Sequence, residues 1–158
     1  MDLFDVALWL HILSSTVLFG TGIGTAFQMV WVMRRADPHQ VHGVASGVVI
    51  ADWLFTMPAG IIQPATGLWL VVLTGWSLSE PFLLITYGLY TLAFVCWVPV
   101  VRLQIRIRDL AAIAAKANTP LPPEAIRAFR IWLALGWPAF IALTLIFWLM
   151  VTQPSLWG

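Results

Sequence analysis

Four apolar stretches make up most of this chain and leave little choice of fold. They run over 4–33, 44–74, 82–101 and 131–151. A bilayer core about 30 Å thick takes about 20 apolar residues of helix, and each stretch reaches that length. The runs are continuous rather than alternating, which argues against a transmembrane barrel. Inside hydrocarbon every backbone polar group must be bonded internally, and a helix does this within its own segment. The connections are short, so consecutive helices are expected to lie antiparallel. The expectation is all-α: a four-helix transmembrane bundle, one integral membrane domain over 1–158. The first two stretches exceed the bilayer and must tilt, bend or project from it. Ala36-Asp37-Pro38 reads as a turn, and Pro122-Pro123-Glu124 as a helix start. The third stretch is expected to continue as a cytoplasmic helix to about residue 116, with Arg102, Arg106 and Asp109 on one face.

Composition agrees. Hydrophobic residues make up 61% of the chain and charged residues 9%, against about 25% charged in a soluble domain. That excludes an ordinary soluble domain, a disordered chain and a nucleic-acid binder with a basic surface. A single cysteine excludes an internal disulfide and a cysteine-based metal cluster.

Position makes the few charges informative. Arg34 and Arg35 lie between the first two stretches. Arg102, Arg106, Arg108, Lys116, Arg127 and Arg130 lie between the last two, and these eight are all of the lysines and arginines. The positive-inside rule puts both basic connections in the cytoplasm and both termini on the outer, periplasmic side of a bacterial inner membrane. Asp2 and Asp5 stand where a cleavable signal peptide would be basic. The ten tryptophans fit that layout. Trp9, Trp69, Trp76 and Trp157 are expected at the outer interface and Trp31, Trp97 and Trp132 at the inner one. Trp53, Trp137 and Trp148 fall deeper and are expected to pack within the bundle.

Polar groups kept among apolar ones are costly and therefore informative. Asp52 is the foremost, with Thr56, Ala59, Gln63 and Gly67 following it on one helical face. Its candidate partners are Gln28 and a snorkelling Arg102. It reads either as a proton relay or ligand group, or as a lock between helices. His11 is the second, near the outer end of the first stretch, with Ser14 and Ser15 close by. It is a possible haem ligand, and Met57, Cys96 or Met150 would have to supply a second axial bond. Tyr87 and Tyr90 could line the outer half with it. Pro58, Pro64, Pro99 and Pro138 each free a carbonyl in a span, and Gln63 beside Pro64 is one way to build a pocket.

Other motifs carry less chemistry. His39-x-x-His42 beside Asp37 reads as a solvated loop, and no metal site is expected. Thr16, Gly20, Gly24 and Gln28 recur every four residues and would let helix backbones approach closely. Gly20-Thr21-Gly22-Ile23-Gly24 lacks the strand–turn–helix setting of a nucleotide loop. No nucleophile–base arrangement is evident.

Three blocks carry a family resemblance: Ala51-Asp52-Trp53-Leu54-Phe55-Thr56 with Gln63-Pro64-Ala65-Thr66-Gly67; Trp97-Val98-Pro99-Val100-Val101-Arg102-Leu103-Gln104-Ile105-Arg106 with Arg108-Asp109-Leu110; and Leu135-Gly136-Trp137-Pro138-Ala139-Phe140 with Phe147-Trp148-Leu149-Met150. Together they resemble a family of predicted bacterial integral membrane proteins, domain of unknown function 2269. That resemblance implies the fold and no activity. Leu10-His11-Ile12-Leu13 followed by Phe19-Gly20 is more distantly similar to the four-helix membrane protoporphyrinogen oxidases and copper-resistance membrane domains. The oxidase resemblance implies haem b at His11. That family pairs its histidine with a lysine on span three, where this chain has none; its single lysine is Lys116.

Three roles follow as expectations. The first is a redox or haem-associated membrane protein using His11. The second is a non-enzymatic accessory subunit of an oligomer or larger membrane complex. The third is a small proton-coupled transporter using Asp52.

Overall fold

The computed structural model describes residues 2–154. Among them four helices are long and apolar enough to cross a membrane: α1 (Leu3–Arg35), α2 (Pro38–Thr74), α3 (Pro81–Ala117) and α4 (Pro123–Thr152). No strand occurs among the described residues.

The helix ends follow local chemistry. Asp2 caps α1, its carboxylate accepting from the Asp5 N–H at 2.8 Å while Asp5 returns the bond. Asp37 caps α2 by accepting from the His39 N–H at 3.0 Å, and Pro38 fills the first helical position. This corrects the loop expected at His39 and His42: both stand in the opening turns of α2. His42 Nδ1 meets the Arg108 carbonyl at 3.3 Å, and His39 is exposed. Gly75 ends α2 at φ 72°, a left-handed conformation that glycine adopts without steric cost.

Within α2, Asp52–Thr56 form a π-helical turn in which the Met57 N–H bonds to the Asp52 carbonyl. Pro58 has no N–H to give to Leu54, and its ring crowds that carbonyl. The wider turn absorbs the conflict. It also points three consecutive apolar side chains outward: Trp53, Leu54 and Phe55 are all exposed.

The antiparallel arrangement defines two ends. One carries the described chain termini and the 75–80 connection, here the terminal end. The other carries all eight basic residues, here the basic end. At ~1.5 Å per residue from the terminal end, Asp52, Arg102 and Arg130 all stand about 30–35 Å along their helices. That is one bilayer core. Among the described residues, only Phe27, Trp31, Ile50 and Ile113 are large, apolar and exposed beyond this level; every other such side chain among them lies on the terminal side. Asp52 therefore stands level with the first arginines, well away from the middle of the apolar belt.

The basic end is closed. Met29, Val41, Ile107, Ala111, Leu121 and Ala125 belong to one continuous core drawn from every helix and the α3–α4 connection. The terminal end is organised in pairs. α1 packs on the terminal half of α2, and α3 packs along α4. The pairs meet through Phe19, whose ring centroid is 5.3 Å from Phe140 and 5.2 Å from Phe147. A small cluster of Val71, Phe82, Leu83 and Leu149 joins them near the rim.

The tryptophans divide differently from expectation. Trp53, Trp137 and Trp148 are 55%, 59% and 55% exposed. They face outward and do not pack within the bundle. Trp132, expected at an interface, is buried at 6% exposure. Trp157 lies outside the described residues.

Candidate functional site

The site begins where Pro64 interrupts the backbone hydrogen bonding of α2. Pro64 has no N–H, so the Gly60 carbonyl loses its helical donor. Tyr90 on α3 replaces it, donating its hydroxyl to the Gly60 oxygen at 2.6 Å. One turn further on, the Gln63 carbonyl faces α1 and meets His11 Nδ1 at 3.1 Å.

His11 is fixed at both nitrogens. A carbonyl can only accept, so Nδ1 carries the ring proton. Thr66 Oγ1, 3.0 Å from the same Nδ1, donates to the Ile62 carbonyl at 2.7 Å and so accepts from the ring. That leaves Nε2 as an acceptor, and the Gln63 amide nitrogen stands 3.1 Å from it. The other end of that amide accepts from the Ser14 hydroxyl, one turn after His11 on α1. Gly67 completes the fit, since a Cβ there would sit 3.1 Å from His11 Cε1. Ser14 and Thr66 are buried at 5% exposure each. His11, Ser14, Gln63 and Thr66 thus form one hydrogen-bonded polar junction between α1 and α2.

This junction lines a cavity of about 460 Å³ between the two helix pairs. Phe4 and Leu8 come from α1, Leu68 and Val71 from α2, Tyr87 and Tyr90 from α3, and Ile146 and Met150 from α4. The wall is mainly apolar. Two groups on it have donor capacity to spare. Gln63 Nε2 holds a second hydrogen beyond the one given to His11. The Tyr87 hydroxyl is buried and has no partner among the described residues. The cavity can therefore hold an apolar body and offer hydrogen bonds to an oxygen on it.

Asp52 belongs to a different place. It is 8% exposed, and its Oδ2 accepts from the Gln104 side-chain amide. Trp132 Nε1 donates to Gln104 Oε1 at 3.2 Å, which fixes the amide with its N–H groups toward Asp52. α2, α3 and α4 are joined by this chain. The expected partners are not there: Gln28 and Arg102 are exposed, and the ion pair among the described residues is Arg108–Asp109 at 2.8 Å. An arginine at this level can reach water, so it gains nothing by turning inward. A neutral amide satisfies the carboxyl without burying a second charge.

Sequence reasoning found His11, Gln63, Tyr87, Tyr90 and Met150, and the structure brings all five to one cavity. Met57 and Cys96 do not line it. Gln104 and Thr66 were missed. Gln104 sits between Arg102 and Arg106 and looks like part of a solvated face. Thr66 looks like one of many helix hydroxyls bonded to their own backbone. The usable signal was spacing: Thr66 follows Gln63 by three and stands next to Gly67.

No group of three metal-ligating side chains occurs among the described residues. No curated protein and no solved structure matches the chain. Residues 5–154 match the family described as predicted integral membrane protein (DUF2269), and the chain belongs to that family.

Proposed function

We propose that this protein binds a small membrane-soluble molecule in the cavity lined by His11, Gln63, Tyr87 and Tyr90. The ligand class is an apolar body bearing an acceptor oxygen. The observation that carries this is the Tyr87 hydroxyl, a buried donor without a partner among the described residues in a mainly apolar cavity that also presents the Gln63 amide. Buried hydroxyls are normally bonded, and a ligand oxygen would satisfy this one. With the basic end in the cytoplasm, the cavity opens in the outer half of a bacterial inner membrane.

His11 does not fit haem ligation in this arrangement. Its Nε2 lone pair accepts from Gln63, and its ring is held by two bonds at Nδ1 and by the closeness of Gly67. Met150 is the one candidate second ligand in the same cavity. The role supported for His11 is to orient the Gln63 amide. An accessory role in a larger complex is favoured by one observation: Thr16, Gly20, Gly24 and Gln28 are exposed, and a Cβ at either glycine would meet nothing within 4 Å. That face is open to a partner helix.

The test is organic extraction of the purified full-length protein, followed by mass spectrometry and an absorption spectrum. A small amphipathic molecule is expected to co-purify with the wild type and to be lost from Thr86→Phe, which fills the cavity. Equal recovery from both proteins would defeat the binding reading. A Soret band abolished by His11→Ala would restore the haem reading.

A further inference from the structure

Two hydrogen bonds tie the middle of α2 to α3: Tyr90 to the Gly60 carbonyl, and Gln104 to Asp52. Thr56 lies between Gly60 and Asp52 on α2. Trp97 lies between Tyr90 and Gln104 on α3. The bracketed segment therefore contains both residues: the Thr56 hydroxyl is placed to donate toward the Asp52 carboxyl, and neither its Oγ1 nor Trp97 Nε1, both buried, has a close hydrogen-bond partner among the described residues. The large majority of buried side-chain polar atoms are bonded to protein or to ordered water. A buried water makes about three hydrogen bonds, and here a hydroxyl and an indole N–H are available to hold it.

The placement is not isolated. Asp52, Thr56, Gly60 and Gln63 follow one another at steps of four, four and three along α2, so they share one face. That face begins at the buried carboxyl and ends at the cavity wall. On the other side of Asp52 the surroundings are apolar. Val48 lies one turn away on α2 and Ile107 one turn beyond Gln104 on α3, and both are buried in the closed core. The polar route from Asp52 leads toward the cavity.

We propose that ordered water held by Thr56 and Trp97 connects Asp52 to the cavity, so that its carboxyl exchanges protons with the terminal end. In each hop an O–H gives its proton to the next oxygen lone pair, and that oxygen releases another, leaving no net change. Thr56 can both give and accept in this chain. Trp97 only donates, so it positions the water and does not relay. Gln104 and Trp132 face Asp52 from α3 and α4, and neither is charged. The inference is independent of what the cavity binds.

The experiment is hydrogen–deuterium exchange of the full-length protein in lipid nanodiscs, read by infrared spectroscopy. The Asp52 signal is the carboxylic C=O band missing from Asp52→Asn. Thr56→Val, which keeps shape and removes the hydroxyl, is expected to slow exchange of that band about tenfold, the rate equivalent of one lost hydrogen-bonded step. Thr56→Ser is expected to restore the wild-type rate. Trp97→Phe is expected to slow exchange by a smaller factor and provides the test should Thr56→Val fail to fold. Unchanged exchange in both Thr56→Val and Trp97→Phe would overturn the proposal. So would the absence of an Asp52 carboxylic band at every pH where the protein stays folded.

Discussion

At the basic end Ala45, Ala111, Ala125 and Ala128 bring helix backbones close, and Met29, Val41 and Ile107 fill what remains. At the terminal end Tyr87, Tyr90, Phe82 and Met150 hold the two helix pairs apart around a cavity. The difference follows from the surroundings. Beyond the level of Asp52 the outward faces are poor in large apolar residues, and burial from water can drive packing. Within the apolar belt lipid is as good a solvent as a neighbouring side chain, so only shape and hydrogen bonds favour contact. A space can persist there at little cost. The polar junctions fall where each regime needs them: Asp52–Gln104–Trp132 at the boundary, and His11–Gln63–Thr66 on the cavity wall.

This contrast can be broken experimentally. The largest effect is expected at the closed end, where Ile107→Ala should cost about 2–5 kcal/mol through a cavity that cannot collapse. Thermal unfolding in detergent would show this as a marked fall in midpoint, while Thr86→Phe at the open end leaves the midpoint near the wild-type value. Comparable losses from both changes would mean that the terminal end is packed as tightly as the basic end.

At the boundary, Gln104→Leu leaves both the Asp52 carboxyl and the Trp132 N–H unpaired, at a cost of about 2–3 kcal/mol. The double variant Asp52→Leu with Gln104→Leu should recover most of that, because the uncompensated carboxyl is gone. No recovery would show that Trp132, not Asp52, is the group Gln104 serves.

Two smaller effects concern the cavity wall and are read as couplings. Gly67→Ala pushes on His11 Cε1 and should cost about 1 kcal/mol, a cost expected to vanish in a His11→Ala background. Tyr90→Phe should cost about 1 kcal/mol by leaving the Gly60 carbonyl without a donor. In a Pro64→Ala background the restored backbone N–H takes over, and Tyr90→Phe should become nearly silent. Full additivity in either cycle would disprove the corresponding contact.

Much of the site was legible because single residues announced themselves. His11 and Gln63 are costly among apolar neighbours, and Pro64 marks a carbonyl in need of a donor. Their partners were harder to see. Thr66 is one of several threonines that bond to their own helix, and only its nearness to His11 distinguishes it. Gln104 was hidden by the arginines beside it. Charge and depth make Arg102 and Gln28 candidate partners of Asp52, whereas the folded chain leaves both exposed and bonds Asp52 to the Gln104 amide.

Four helices, the turn at Ala36-Asp37-Pro38 and the gathering of every basic residue in two connections were legible in the sequence alone. These depend on length, hydropathy and turn chemistry, which are local properties of a segment. Tertiary structure decided which residues meet: Asp52 with Gln104, His11 with Gln63 and Thr66, and the cavity between the helix pairs. When a helix is apolar on nearly every side, its pattern barely specifies its rotation or axial register. Those are set by close packing of small side chains and by a few hydrogen bonds across helices, and both exist only once the helices are side by side.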